Sequence, residues 1–284
     1  MSLSKIQTDI LLLLAKNRNL QSYVAGATAL NQHGPRQSND IDIFHDHEAD
    51  VEASSTVDAR CLIDAGYRFD WKRRGIGIHS AIVSRGDCST DLEWVRDSSF
   101  RFFPAIKDPA FGYRLHLADL ATNKVLAAAG RNEPRDILDL IFIHENYLPL
   151  GPVIWAAVAK DPGFSPENLV NEIRRNARYR QEEYDALQIS EPVNAAVISR
   201  SLKDILKSAS AFIQTMPIGL EGRLFMTDGK VVQPDASRLD DYELRESHIG
   251  GIWPSTSKID SDAIQEVFPD DESNKSSRVD FEPG

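Results

Sequence analysis

The apolar and polar positions in the first part of the chain predict strands mixed with helices. Helices are expected at about 4–16 and 49–65, and Gly66 is well suited to end the second one. Strand-like runs, separated by glycine and aspartate turn residues, follow at 67–72, 78–84 and 90–95. This order predicts an α/β (α+β) fold with a mixed sheet, mostly antiparallel after its first strands, and with flanking helices.

After about residue 115 the spacing of apolar positions becomes helical. Asp119 is expected to cap a helix that runs through Gly130, and Pro134 suits the first turn of the next helix. Further helices are expected at about 152–160, 166–188 and 192–213, with a hairpin around Gly229. The chain is thus divided into a core domain at 1–115, a helical domain at 116–215 that completes the site, and an irregular region at 216–284 with an acidic, poorly ordered tail.

Two acidic residues, Asp40 and Asp42, lie on a short strand predicted at 40–44. Alternate side chains of a strand share a face, so both carboxylates point one way while Ile41 and Ile43 point into the core. Their Cα atoms are expected about 6.6 Å apart, at about 3.3 Å per residue, and the side chains can close that distance around a cation. Because two unscreened carboxylates repel each other, the pair predicts a Mg²⁺ site that also contacts substrate phosphates.

The segment before this strand has the features of a phosphate-binding turn. Residues 23–25 predict a short buried strand, and Gly26 permits a tight turn. A helix at 27–33 would direct its first N–H groups toward an anion. Arg36, just before the acidic strand, is placed to add a bidentate phosphate contact.

Two blocks of sequence resemble the AbiEii-type nucleotidyltransferase toxins, which belong to the DNA polymerase β-like superfamily. The first block is Gly26-Ala27-Thr28-Ala29-Leu30 followed by Arg36, Ser38 and Asp40-Ile41-Asp42. The second is Leu117-Ala118-Asp119-Leu120, Lys124, Arg131 and Arg135-Asp136-Ile137-Leu138-Asp139-Leu140. The resemblance covers about residues 20–145, and the order of the two blocks makes it more specific than either alone. Relatives often carry a second glycine or a serine where this chain has Ala27, so Thr28 or backbone N–H groups would serve instead.

This resemblance implies a nucleotidyltransferase-like sheet followed by a helical domain, and transfer of a nucleotide from an NTP to an acceptor hydroxyl. It implies Mg²⁺ as the cofactor, and a toxin of a toxin–antitoxin or phage-defence pair, with tRNA as acceptor and a cognate antitoxin as partner. The catalytic residues it implies are Asp40, Asp42, Asp91 and Lys124, of which the three aspartates hold the metal. The nucleotide-binding residues it implies are Gly26, Ala27, Thr28, Arg36, Ser38, Lys124, Arg131, Asp136 and Asp139.

A third carboxylate is expected on the strand at 90–95, where Asp91 and Glu93 share one face and Leu92 and Trp94 the other. In the resembled fold, an acid on a neighbouring strand approaches the metal pair and can accept the proton of the attacking hydroxyl, which favours Asp91. The alternative is an exposed strand with a solvated acidic face, in which neither carboxylate takes part in chemistry.

Lys124 and Arg131 are predicted to share one helix face, where a compact charge and a forked one suit a triphosphate. The alternative is an ordinary solvated helix surface. Arg135 and Asp139 have the i, i+4 spacing of an ion pair, and Asp136 near a helix start is favourable for the helix dipole alone. By resemblance, Asp136 and Asp139 orient either Lys124 or the phosphates.

Composition narrows the choice of partners. A net charge of -11 argues against a surface that coats nucleic acid, but it allows a local basic patch at Lys72-Arg73-Arg74 or at Arg174, Arg175 and Arg178. The apolar run at 10–14 is far shorter than the roughly 20 residues of a membrane span, so a cytoplasmic protein with no membrane contact is expected. The alternatives left open are transfer to a small molecule and a non-catalytic nucleotide-binding interaction module.

Overall fold

The N-terminal half of the structure combines a sheet with helices on one side. The computed structural model describes residues 3–32, 34 and 36–251, so the tail expected after residue 260 lies outside the described residues. The helices here are α1 (Lys5–Leu14), α2 (Gly26–Leu30) and α3 (Glu48–Asp64). The strands are β1 (Ser22–Val24), β2 (Asp40–His45), β3 (Arg68–Gly75), β4 (Ile78–Arg85), β5 (Cys88–Arg96), β6 (Phe100–Arg101), β7 (Ile106–Asp108) and β8 (Gly112–Arg114).

A seven-stranded mixed sheet, in the order β3-β4-β5-β2-β1-β8-β7, forms the centre of this half. Strands β2 and β5 are parallel neighbours, as are β1 and β8, and the remaining pairs are antiparallel. The α/β fold predicted from the sequence is therefore confirmed. The pattern does not predict β7 and β8, because three residues are too few to show the two-residue period of a strand.

Helices α1 and α3 cover one face of the sheet. Gln7 of α1 donates a hydrogen bond from Nε2 to Thr90 Oγ1 of β5 (3.2 Å), and Trp94 of β5 donates from Nε1 to Asp58 of α3 (2.8 Å). Trp94 is fully buried. Because strand side chains alternate, Asp91 and Glu93, which lie between Thr90 and Trp94, point to the opposite face and are half-buried there.

The described part of the chain after β8 is mainly helical. Its helices are α4 (Leu117–Gly130), α5 (Pro134–Asn146), α6 (Leu150–Ala157), α7 (Pro166–Asn176), α8 (Gln181–Asp185) and α9 (Ala195–Thr215). The single helix predicted at 166–188 is wrong: Asn176 Nδ2 donates to the Ala129 carbonyl (2.8 Å), and Tyr179 packs edge-on against Tyr184, so the chain turns between α7 and α8. No single helix among the described residues is long and apolar enough to cross a membrane; only α5 and α6 taken together reach that length and composition, and they are bent by 118° where they meet.

A small sheet follows α9 and confirms the predicted hairpin. Strands β9 (Leu224–Thr227) and β10 (Lys230–Val232) are antiparallel, and both residues between them, Asp228 and Gly229, have positive φ, as in a type I′ turn. Strand β11 (Glu243–Arg245) pairs with the other edge of β9, and β12 (His248–Ile249) pairs with β6. Arg245 Nε donates to the Phe102 carbonyl (2.7 Å), which joins this sheet to the segment after β6.

Asp119 has a different structural role from the predicted one. The N-cap residue of α4 is His116, and Asp119 lies within the first turn, fully buried. Its carboxylate accepts hydrogen bonds from the backbone N–H groups of Phe102 (2.8 Å) and Phe103 (3.0 Å) and forms an ion pair with Lys160 (2.9 Å). The side chain therefore connects α4, the segment after β6 and the end of α6.

We predict that Asp119→Ala lowers the free energy of unfolding by about 3–5 kcal/mol, because it leaves the buried Lys160 ammonium without its carboxylate partner and two buried N–H groups without their acceptor. The control is Asp9→Ala, which removes the exposed Lys5–Asp9 pair and should lower it by less than about 1 kcal/mol. Urea unfolding of both variants gives the comparison, and equal losses would contradict the structural role of Asp119.

Candidate functional site

Four half-buried carboxylates lie together on the face of the sheet opposite α1 and α3. In the parallel register of β2 and β5, Asp40 is opposite Asp91 and Asp42 is opposite Glu93. Neighbouring strands are about 4.8 Å apart, so these side chains occupy the corners of a small quadrilateral. Strand alternation, as expected from the sequence, thus places Asp40 and Asp42 of β2 on the same face as Asp91 and Glu93 of β5.

Burial and the neighbouring charges raise the pKa values of two of these acids, Asp42 and Glu93. Burial, and then the charges of Asp40 and Glu93, raise the pKa of Asp42 to about 7, although Lys124 and Arg135 act in the opposite direction. Burial, followed by Asp40 and Asp91, also raises the pKa of Glu93. A group of neighbouring carboxylates attracts cations, either protons or a metal ion.

The donor set of this cluster fits Mg²⁺, which prefers carboxylate oxygens and keeps positions for phosphate oxygens. Among the described residues, no group of three or more His, Cys, Asp or Glu side chains already converges as a metal centre. Lys72 Nζ lies 3.2 Å from both carboxylate oxygens of Asp91, whereas the Glu93 charge acts directly on Asp42. The assignment of Asp40, Asp42 and Asp91 to the metal stays a prediction, and Glu93 is a candidate for the third position.

Helix α2 begins directly against Asp42. Gly26 has φ +64°, and a Cβ atom built on it would lie 2.0 Å from Asp42 Oδ2. The backbone N–H of Ala25 also donates to the Asp42 carbonyl (3.1 Å). The turn at Gly26 therefore has both the backbone conformation and the close approach that only glycine allows. Ala27, a predicted nucleotide contact, is buried in the first turn of α2.

Two hydroxyl groups predicted to contact the triphosphate hold Asp40. Thr28 is fully buried, and its Oγ1 donates to the Asp40 carbonyl (2.7 Å). Ser38, also buried, donates from Oγ to Asp40 Oδ1 (2.9 Å). In this structure the two hydroxyls fix the start of β2 and orient its first carboxylate, and their contact with a triphosphate stays a prediction.

Arg36, whose phosphate contact stays a prediction, also binds an acid in this structure. Its buried guanidinium binds Asp139 bidentately, with Nε at 2.8 Å and Nη2 at 2.7 Å. Lys124 Nζ lies 2.7 Å from the same carboxylate. Burial alone would raise the pKa of Asp139, but the charges of Lys124 and Arg36 hold it below its ordinary value. Asp139 therefore stays ionised and fixes both cations.

Asp136 is the second buried acid of this network. Arg131 binds it bidentately, at 2.6 and 2.8 Å, and Lys124 Nζ is 3.5 Å away. Asp136 and Asp139 were expected to orient either Lys124 or the phosphates, and in this structure both contact Lys124. The predicted pair between Arg135 and Asp139 is wrong, because Asp139 is occupied.

Arg135 and Glu93 are site residues to which sequence reasoning gave little weight. The charge of Arg135 reaches Asp42, and its Nε is buried with no hydrogen-bond partner among the described residues; Glu133, at 3.7 Å, is the acid it pairs with. In the sequence, its position next to Asp136 in the second block of the resemblance marked Arg135 as a possible site residue. Helical spacing alone, however, predicts an ion pair with Asp139. Glu93 shares a face with Asp91 in the sequence pattern, and only the register with β2 shows which of them lies opposite Asp42.

The arginines considered as a second basic patch lie on the surface of α7 and after it. Arg174 donates to Asn171, and Arg175 forms an ion pair with Glu172. Arg178 is exposed. No described contact connects these three with the carboxylates.

Comparison with solved structures identifies the fold. The nucleotidyltransferase toxin MenT4 from Mycobacterium tuberculosis H37Rv is similar with a TM-score of 0.52 and 17% identity, over 72% of this chain and 82% of that chain. A protein from H. pylori described as belonging to the same enzyme class has a TM-score of 0.46 and 17% identity, over 74% of this chain and 94% of that chain. No protein-family model matches the sequence, and no curated protein matches it significantly. The chain thus shares the fold of a nucleotidyltransferase toxin, and its activity has to be argued from the site.

We predict that Gly26→Ala lowers the free energy of unfolding by about 2–4 kcal/mol, since it adds backbone strain and displaces the Asp42 carboxylate. Gly86→Ala is the matched control: φ is +59° there, and nothing lies within 4 Å of the added Cβ. In this control the added backbone strain alone should lower the free energy of unfolding, by about 1–2 kcal/mol. Equal losses in urea unfolding would mean that Asp42 moves aside freely.

A second prediction concerns the pH dependence of stability in metal-free protein. The pKa of Asp42 is about 7 in the folded state against 3.8 ordinarily, so the folded state holds the proton more tightly and the free energy of unfolding falls as pH rises from about 4 to 7. Asp42→Asn has no titrating group at this position, so its free energy of unfolding does not fall for this reason. Its stability relative to wild type should therefore increase across that range, by about 1–3 kcal/mol.

Urea unfolding at several pH values, with EDTA present, measures this difference. Asp70→Asn, which changes an exposed carboxylate paired with Arg68, is the control and should show little pH-dependent gain. A wild-type-to-Asp42→Asn difference that does not vary with pH would contradict the raised pKa.

Proposed function

We propose that this protein is a nucleotidyltransferase that transfers a nucleotide from an NTP to an acceptor hydroxyl. The observation that carries the proposal is the carboxylate pair Asp40 and Asp42, with a glycine turn on one side and Lys124 fixed nearby by Asp139. A row of carboxylates beside a fixed cation suits metal-assisted phosphoryl chemistry, in which the protein mainly positions charged groups. The fold shared with MenT4 supports the same class.

Mg²⁺ is the proposed cofactor, and Asp40, Asp42 and either Glu93 or Asp91 would hold it. When bound, Mg²⁺ neutralises charge on carboxylates and phosphates and polarises a phosphoryl oxygen. The carboxylate among Glu93 and Asp91 that does not hold the metal is placed to accept the proton of the acceptor hydroxyl.

The phosphates of the NTP are proposed to lie between α2 and Lys124. Ala25 at the start of α2 has no side chain that can cap the helix, so the first N–H groups of α2 suit an anion. Lys124 is held in place by Asp139 and Asp136, and Arg135 supplies a guanidinium whose charge also acts on Asp42. Arg36, Thr28 and Ser38 act by positioning these groups.

The biological role we propose is that of a toxin acting on tRNA and neutralised by a cognate antitoxin. The resemblance of residues 20–145 to the AbiEii-type toxins supports this role, and MenT4, which shares the fold, is itself a nucleotidyltransferase toxin. The Ser38–Asp40 contact and the Lys124–Asp139 pair occur in the two blocks that carry the resemblance.

We predict that purified protein transfers label from at least one NTP to total tRNA, and that Asp40→Asn and Asp42→Asn each lower the rate by about 10³-fold or more, equivalent to about 4 kcal/mol of lost transition-state stabilisation. Asp70→Asn is the control, because Asp70 is an exposed β3 acid that pairs with Arg68, and it should retain wild-type activity. Wild-type turnover by either β2 variant would exclude the assigned carboxylates.

The same assay identifies the third acid. Because Glu93 lies opposite Asp42, Glu93→Gln should lower the rate more than Asp91→Asn does. The reverse order would assign the third position to Asp91. Labelling of no RNA by any NTP would favour a small-molecule acceptor or a non-catalytic nucleotide-binding module.

A further inference from the structure

Two consecutive basic residues of β3, Lys72 and Arg73, point to the same face of the sheet. This is unusual, because neighbouring side chains in a regular strand point to opposite faces. The register shifts between Trp71, which is opposite Ala81, and Arg73, which is opposite Ser80. Lys72 is thus the extra residue of a β-bulge, a feature that redirects side chains and occurs often beside active sites.

The bulge directs both cations to the carboxylate face. Ser80, the partner of Arg73, is itself opposite Glu93. Lys72 Nζ lies 3.2 Å from both oxygens of Asp91. The charges of Lys72 and Arg73 both act on Glu93, where they lower its pKa against burial and the neighbouring acids.

The flanking residues point to the other face. Trp71 packs against Trp94 on the core side, with ring centroids 5.9 Å apart. Arg74 lies over the Trp71 ring at 5.0 Å and reaches Glu52 of α3. A third basic residue, adjacent in sequence, therefore lies outside the site and provides a local control.

Lys72 and Arg73 are accessible. Arg73 is exposed, and the Lys72–Asp91 pair has side chains that are 47% and 41% exposed. An ion pair so open to water contributes little to stability, so Lys72 can exchange Asp91 for a ligand anion at small cost.

Two cationic groups thus border the carboxylates from opposite directions. Lys124 and Arg135 act on Asp42, beside the turn at Gly26 that follows β1, whereas Lys72 and Arg73 lie on β3, beyond β4 and β5 in the strand order. In-line nucleotide transfer places the leaving pyrophosphate and the attacking hydroxyl on opposite sides of the reacting phosphate. Lys124 and Arg135 suit the pyrophosphate, and Lys72 and Arg73 suit the acceptor.

We propose that Lys72 and Arg73 bind backbone phosphates of a polynucleotide acceptor next to its reacting hydroxyl. The inference rests on the proposed function and names the acceptor side of that site. A chain with a net charge of -11 and four acids on this face would repel a polyanion without such local cations. Lysine supplies a point charge and arginine a forked donor, and both suit phosphate.

The test measures binding of a fluorescent single-stranded RNA with a free 3′ hydroxyl over a range of salt concentrations. We expect the double variant Lys72→Ala/Arg73→Ala to bind at least about 10-fold more weakly at low salt, and its log–log salt slope to fall by about 1.4, or about 0.7 for each lost single-strand phosphate contact. The variant should still melt at a higher temperature with Mg²⁺ and NTP than without them, because Lys72 and Arg73 are assigned to the acceptor and not to the metal or the NTP.

Two controls separate this site from general charge effects. Arg74→Ala removes the adjacent cation on the other face, and Arg174→Ala/Arg175→Ala removes two exposed charges on α7. Both should bind the RNA like wild type. An equal loss in the α7 variant would overturn the proposal, and so would an unchanged affinity and slope in the β3 variant or a wild type that does not bind the RNA.

The outcome is distinguishable from failure of the proposed function. If wild type binds RNA through Lys72 and Arg73 but transfers no nucleotide, the surface stands and the activity is wrong. If wild type labels RNA and the β3 variant labels it with unchanged KM and kcat, the activity stands and the acceptor surface is wrong.

Discussion

Electrostatic repulsion among four carboxylates on adjacent strands is the constraint that shapes this molecule. Hydrogen bonding between β2 and β5 fixes the register, so the acids cannot separate without breaking the sheet. Burial, and then this repulsion, raise the pKa values of Asp42 and Glu93. Gly26 approaches Asp42 without a side chain, and cations border the group from both sides, at Lys124 and Lys72. A cation bound at these carboxylates would relieve this repulsion.

A buried ionic network holds Lys124 in place beside the carboxylates. Asp136 and Asp139 are fully buried, and removing one partner of such a network costs more than the network itself contributes, because the remaining charges are left unpaired. Lys124 is therefore fixed before any ligand binds, and a preorganised cation lowers the reorganisation that accompanies reaction. Arg36 connects this network to the segment before β2, so α5 and the acidic strand keep a constant relative position.

Local patterns predicted the parts of the site that depend on one strand or one turn. Alternation placed Asp40 and Asp42 on one face, and the glycine turn was recognised from its residue type. Pairing of Arg36 with Asp139 was not predictable, because these residues are 103 positions apart and only the packing of α5 brings them together. Helical spacing predicted the wrong partner for Arg135, because spacing along one helix does not show that Lys124 and Arg36 bind Asp139. The face of Lys72 follows from a bulge, which breaks the period on which strand prediction relies.

The central claim, that the carboxylates of β2 bind an NTP through a metal ion, is tested most directly by thermal unfolding. Melting temperatures of wild type and Asp42→Asn should be measured with each NTP, in Mg²⁺ and in EDTA. Ligand binding to the folded state stabilises it by mass action, so wild type should melt several degrees higher only when an NTP and Mg²⁺ are both present, and the variant should lose that increase. An equal increase in EDTA, an equal increase in the variant, or none with any NTP would contradict the account.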